Sequence, residues 1–300
     1  MEFGELAIVV LAGSDVNPEI LGGAGQPSKF FMRFGDGLVG NRVLRAIDKL
    51  RWCKAICIAA PPERIQGHPF STDHPLYLVP QGASSTRSMA NGVRGAREHG
   101  DCAEGDFVLV VSGDLPLLST AALEHFMEVC EKAPEADLYL GMLPRSAVPD
   151  ELREAYGNDF IPFRGGSYLH TETYLLRPDS LSEVGRRRFE EIMTIRRLNR
   201  RTVRGAWKIA RTLVSTVGLR AMLPLARILM EGSGDSGDEG GQGAAGPDRV
   251  EKATLRLVED RLGPRANLVI VEEPGLALEF DHLEQLEVLE KYAERNRLVT

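Results

Sequence analysis

The chain has 300 residues, is 43% apolar and 26% charged, and carries a formal net charge of −7. This balance is that of a globular protein able to bury one large core or two modest ones, and it excludes a disordered or fibrous chain. No window reaches the ~18 uncharged apolar residues of a membrane span; the nearest, Trp207 to Met230, is broken by Arg211, Arg220 and Arg227. Cys53, Cys57, Cys102 and Cys130 show no Cys-x-x-Cys spacing, which points to reduced thiols rather than a zinc site. The acidic start, Met1-Glu2-Phe3-Gly4-Glu5, lacks the basic region of a secretory leader, so a cytoplasmic protein is expected. Charge is unevenly placed: Val184 to Met230 holds twelve Lys/Arg against two Glu, a net of +10, leaving −17 elsewhere. Such a block asks for an anionic neighbour: a phosphorylated substrate, an acidic membrane surface, or the protein's own acidic face.

Leu6 to Ala12 is an almost unbroken apolar run, the pattern of a central parallel strand covered on both faces. Ser14 to Ser28 follows as a loop rich in Gly and Pro. Helical spacing of Val39, Val43, Leu44, Ile47 and Leu50 predicts a helix over 39–50. A second strand, Ala55 to Ala60, stops at Pro61-Pro62, and a third spans Leu76 to Val79. Ser85 to Glu98 reads as a helix capped near Ser84 or Ser85. Phe107 to Ser112 is a fourth strand, Ser119 to Cys130 a helix and Asp137 to Leu143 a fifth strand. This alternation predicts a doubly wound, mostly parallel α/β sheet.

After Pro144 the rhythm changes. Tyr168 to Leu176 alternates like a strand, and Arg186 to Leu229 reads as two or three Arg-rich helices. Residues 231–248 are too rich in Gly and acid to bury a core and are expected to be a flexible loop. A helix over 249–265 returns to a strand at Leu268 to Glu272, and Glu284 to Arg295 closes the chain as a helix. The expected division is a core of 1–145 with 266–300, an acceptor-side insert and helical subdomain over 146–230, the loop 231–248, and the returning helix.

Four segments carry candidate chemistry. Strand Phe107 to Val111 ends in Ser112-Gly113-Asp114-Leu115-Pro116, holding one carboxylate at the carboxyl end of a strand, where open α/β sheets bind ligands. Asp114 there is either a ligand for a hard cation or a turn-shaping acid. Leu11-Ala12-Gly13 ends the first strand, and beyond the loop comes Lys29; the pair reads either as a loop whose glycine backbone and lysine hold phosphate oxygens or as a solvated surface loop. Gln81 to Gly92 is a small-residue turn opening a helix with hydroxyls and Arg87; it reads as an anion-accepting helix start or as plain capping. In Leu278-Glu279-Phe280-Asp281-His282-Leu283-Glu284, two acids sit two apart at a strand end and so point to opposite faces, only one of them into the cleft. Asp281 is the acid placed to join Asp114 on one ion, or else to cap the last helix.

In this order the segments resemble the nucleotidyltransferases with a molybdenum-cofactor-guanylyltransferase-like domain, over about residues 6–145 and 266–293. The opening Leu-Ala-Gly is similar at Leu11, Ala12 and Gly13 with Lys29; the Mg²⁺-binding Gly-Asp-x-Pro turn at Asp114; a base- and ribose-contacting segment at Gly82, Arg87, Ser88 and Gly92; and the closing acidic motif at residues 279–286, with Asp281 in the metal-ligand place. Ser14 stands where the family has a second glycine, the loop lacks the usual Arg-Met-Gly, and the closing motif lacks Thr-Pro.

The resemblance implies a nucleotide-diphospho-sugar-transferase-like (Rossmannoid) sheet and a Mg²⁺-dependent transfer of NMP from an NTP to a phosphorylated sugar, alditol or cofactor, with release of pyrophosphate. Mg²⁺ would be held by Asp114 and Asp281, charge at the α-phosphorus stabilised by Lys29, and the nucleotide bound by Leu11, Ala12, Gly13, Gly82, Arg87 and Ser88. Outside the stretch of resemblance, the insert after Pro144 would form the acceptor side, with Arg164, His170 and Thr171 as candidates and His170 readable equally as a hydrogen-bonded structural histidine. Two alternatives stay open: a non-catalytic nucleotide- or sugar-binding relative, and a peripheral membrane enzyme whose Arg-rich helices meet an anionic lipid surface. Nucleic acid is not an expected partner, because the chain is acidic overall and its basic block has few aromatics.

Overall fold

A computed structural model describes residues 2–13, 28–61, 70–157, 159–163, 166–180 and 265–298. The predicted Arg-rich helices, the Gly-rich loop, the helix over 249–265, most of the first loop and Arg164 lie outside these residues.

β1 (Leu6–Leu11) is the central strand. It pairs in parallel with β4 (Cys53–Ala60) on one side and β6 (Val108–Ser112) on the other, and β4 pairs in parallel with β5 (Leu76–Pro80). The short strands β2 (Arg33–Phe34) and β3 (Gly37–Leu38) form a separate hairpin. β7 (Leu138–Pro144) and β10 (Ala266–Ile270) form a parallel pair. Between β6 and β7 runs β9 (Gly166–Leu176), antiparallel to both, with the short β8 (Ile161–Phe163) against its start. The order across the sheet is β10-β7-β9-β6-β1-β4-β5.

Alternation along β1 explains why its sequence is apolar throughout. Ile8 and Val10 point into the larger core, with α1 (Val39–Asp48), α3 (Thr120–Lys132) and α5 (Leu283–Arg295). Ala7 and Val9 point into the second core, under α2 (Ser85–His99). A strand buried on both faces cannot alternate polar with apolar. The caps are local: Ser84 Oγ accepts the Arg87 N–H at 3.2 Å and Ser119 Oγ accepts the Ala122 N–H at 3.1 Å.

The mostly parallel, doubly covered α/β sheet is the expected fold class. β9 departs from the expected organisation. It lies within 146–230, the stretch expected to form the acceptor side, yet it occupies the middle of the sheet. The last strand is Ala266–Ile270 rather than 268–272, and a short helix, α4 (Asp150–Arg153), follows β7. At the opposite end of β9 from its start, Arg177 Nη1 donates to Asp137 Oδ1 at 2.8 Å and Arg265 Nε donates to Asp137 Oδ2 at 3.4 Å. The chain thus leaves β9 and re-enters β10 beside one carboxylate, at the end of the sheet away from the carboxyl ends of β1, β4 and β6. Among the described residues no helix is long and apolar enough to cross a membrane. All four cysteines are free and buried.

Candidate functional site

The carboxyl ends of β1, β4, β5 and β6 lie side by side, tied by the Ala12 N–H donating to Ala59 O at 3.0 Å, the Gly113 N–H to Leu11 O at 2.9 Å and the Gln81 N–H to Ala60 O at 3.2 Å. Parallel strands bring their ends together, so chain segments far apart in sequence converge here.

Asp114 is fixed first. A Cβ on Gly113 would lie 2.7 Å from the Phe30 ring and 2.9 Å from Leu11 O, so only glycine lets this turn press against β1. Asp114 is buried, and its Oδ1 accepts from Ser112 Oγ at 2.5 Å. Lys29 arrives from the other side of the first loop. Ser28 Oγ donates to Ala12 O at 2.8 Å, and Lys29 opens a short 3₁₀ turn, Lys29–Phe31, whose Phe30 and Phe31 are buried. Residues 12 and 28 are therefore neighbours, and the lysine side chain runs inward over the Phe280 ring, 5.5 Å from its centroid.

Lys29 Nζ donates to Asp114 Oδ2 at 3.1 Å and to Asp281 Oδ1 at 2.6 Å, with Glu279 Oε2 at 3.8 Å. The lysine is 5% exposed. Burial by itself lowers an ammonium's pKa; Asp114, Glu279 and Asp281 together outweigh it and hold Lys29 above the ordinary lysine value. Lys29 is a cation throughout the physiological range. Desolvation, followed by the Glu172 and Asp114 carboxylates, pushes the Glu279 carboxyl well above its usual range, against the pull of Lys29. Three acids thus gather around one ammonium, with Glu172 behind Glu279.

One sequence expectation fails here. Glu279 and Asp281 do not point to opposite faces: both reach Lys29. Alternation holds for an extended strand, but residues 277–282 form none. They follow a 3₁₀ turn, Pro274–Leu276, and bend into α5. Nor does Asp281 cap α5 with its side chain. Gln285 Oε1 takes the N–H groups of Asp281 at 2.7 Å and His282 at 3.2 Å, leaving the Asp281 carboxylate to Lys29.

The proposed nucleotide residues fall into two groups. Leu11 ends β1, Ala12 and Gly13 follow it, and Gly13 O accepts from Gln81 Nε2 at 2.7 Å. Gly82 and Ser88 belong to the next strand-to-helix turn. The Gly82 N–H donates to Ser88 Oγ at 3.0 Å, and a Cβ on Gly82 would lie 2.4 Å from Arg87 Cβ. Ser88 is buried, while Arg87 is exposed in the first turn of α2. Of the proposed acceptor residues, Arg164 lies outside the described residues. Thr171 is buried, and its hydroxyl donates to Thr173 O at 3.1 Å, a bond internal to β9. His170 Nδ1 faces Glu172 Oε1 at 3.7 Å, and its ring packs on Tyr174.

Sequence reasoning gave no role to Glu172, Tyr156 and Gln285, and turned Glu279 away from the cleft. Glu172 had a usable signal, since it shares a strand face with His170 two residues earlier. Gln285 had one as well, since it stands three residues after His282, the spacing of a capping box at the start of α5. Tyr156 had none: its hydroxyl donates to Glu279 O at 2.6 Å, 123 residues away.

Among the described residues no group of three or more His, Cys, Asp or Glu could by itself hold a metal ion. The Asp114 and Asp281 oxygens nevertheless lie within two hydrogen-bond lengths of each other, with a cation already seated between them. Two such carboxylates suit a hard ion that takes its other ligands from water and phosphate, the usual habit of Mg²⁺.

Residues 9–145 match the family model described as a MobA-like NTP transferase domain. No curated protein matches the chain. Among solved structures, a hypothetical transferase from Thermus thermophilus is 20% identical, with 94% of this chain and 99% of that chain covered and a TM-score of 0.59, which shows a shared fold. The 2-C-methyl-D-erythritol 4-phosphate cytidylyltransferase from the same organism is 16% identical, with 97% and 99% covered and a TM-score of 0.46. The Francisella tularensis enzyme of the same name is 10% identical, with 97% and 99% covered and a TM-score of 0.49.

Proposed function

From the premise that the chain carries a MobA-like NTP transferase domain over residues 9–145, we propose that the protein transfers a nucleotidyl group from an NTP to a phosphorylated small molecule, releasing pyrophosphate. The observation that carries this reading is the meeting of Lys29 with Asp114 and Asp281, 85 and 252 residues away, at the carboxyl ends of parallel strands.

Asp114 and Asp281 are the residues that would hold Mg²⁺, which when bound would offset the negative charge of the phosphates and orient them. Lys29 binds phosphate oxygens and stabilises charge as it develops on the α-phosphorus and the departing pyrophosphate. The backbone of Ala12 and Gly13 approaches the triphosphate, and the turn at Gly82 with Ser88 receives base and ribose. An oxygen of the acceptor's phosphate attacks the α-phosphorus as the bond to the β-phosphate breaks. That oxygen is already anionic, so no general base is required and the protein's work is positioning. His170, which shares a face of β9 with Glu172, is the described residue that would meet the acceptor.

The test uses the full chain with each NTP in turn, Mg²⁺ and a set of sugar, alditol and cofactor phosphates, and measures pyrophosphate. Release is expected with one NTP and acceptor pair and should vanish in Asp114→Ala. Turnover unchanged in that variant would overturn the assignment.

A further inference from the structure

The ammonium that the proposed chemistry needs at the phosphates is occupied. A lysine has three N–H donors. Two are taken by Asp281 at 2.6 Å and Asp114 at 3.1 Å, and Glu279 stands on a third side at 3.8 Å. In this state two of the three Lys29 N–H groups and most of its charge are committed to the acids. We propose that Lys29 is the resident counter-ion of the acid pair and that a divalent cation displaces it, so that loading the metal and releasing the lysine to the phosphates are one exchange. This rests on the reading of Asp114 and Asp281 as metal ligands given above.

The parts are suited to such an exchange. Asp114 is the immobile half: its side chain is 2% exposed and its second oxygen is held by Ser112. Asp281 is the adjustable half, with a side chain 62% exposed. Lys29 has a flexible four-carbon stem whose head can move while the stem stays buried. A doubly charged ion on the same oxygens gains about twice the Coulomb attraction of an ammonium. Once it is seated, like-charge repulsion drives the ammonium outward, toward the anionic ligand. Without a metal, Lys29 keeps Asp114, Glu279 and Asp281 from facing one another with no counter-charge, an arrangement a fold tolerates poorly.

The experiment measures Mn²⁺ binding to the full chain by titration calorimetry, without nucleotide, for the wild type, Lys29→Met and Asp114→Asn. Exchange requires Lys29→Met to bind Mn²⁺ about tenfold or more tightly than the wild type, because its competitor is gone. In the wild type, reductive methylation of Lys29, mapped by mass spectrometry, should rise when Mn²⁺ saturates the site. This second measurement stands even if Lys29→Met does not fold. Affinity in Lys29→Met equal to or weaker than wild type, or Lys29 labelling unchanged by Mn²⁺, would overturn the exchange. The metal reading is separable: wild-type binding that is lost in Asp114→Asn upholds it whatever Lys29→Met does. A wild type that binds no Mn²⁺ removes both.

Discussion

The Tyr156 hydroxyl donates to the backbone oxygen of Glu279 at 2.6 Å, fastening the segment after β7 to a turn 123 residues further on. Tyr156 is buried, and the turn it holds carries Glu279 and Asp281, the two acids brought to Lys29 from the end of the chain. Gln285 grips the same turn from α5 through two backbone N–H groups. The acids are placed by this clamp rather than by a strand.

Tyr156→Phe keeps the ring and removes the clamp's hydroxyl, leaving a carbonyl without its donor. The expected loss of stability is about 1–2 kcal/mol, read from urea unfolding. Under the proposed function, pyrophosphate release, measured well below the unfolding midpoint, should fall several-fold, because Asp281 is no longer held in register. A variant that loses stability but keeps its full rate would show that Tyr156 supports the fold and not the site.

Asp48 predicts a pH dependence. Partial burial raises its pKa, but the backbone N–H groups of Asp73 and His74 and the His74 ring outweigh that, and the net shift is downward. A carboxyl with a lowered folded-state pKa contributes stability that is fully present above its unfolded value of about 3.9 and lost as pH falls through the folded value. Asp48→Asn should therefore melt below the wild type at neutral pH, and the gap should close as pH falls below about 4. Melting curves by circular dichroism between pH 7 and pH 2.5 test this; a gap that stays constant into acid would contradict it.

The cysteines should be chemically silent in the native protein. Burial pushes the Cys53 and Cys57 thiols up to about 12, and raises those of Cys102 and Cys130 as well. The thiolate is the reactive form. Intact-mass analysis after iodoacetamide treatment at pH 8 should show no adduct on the native chain and four adducts after unfolding in denaturant. Labelling of a native thiol would place it at the surface.

The sequence by itself determined the α/β alternation, the two-sided burial of β1, helix starts to within a residue at Ser84 or Ser85 and at Ser119 or Thr120, and the position of Asp114 at a strand end. Each of these is written in neighbouring residues: runs of Val, Ile and Leu, a hydroxyl before a helical pattern, a glycine and a proline around one acid. The pairing of Lys29 with Asp114 and Asp281 was legible only through a family resemblance. Tertiary structure alone decided that β9 runs antiparallel in the middle of the sheet, that Glu279 joins Asp281 on Lys29 instead of opposing it, and that Tyr156 holds their turn in place. These depend on which distant surfaces close against one another, and no local period of two or 3.6 residues encodes that.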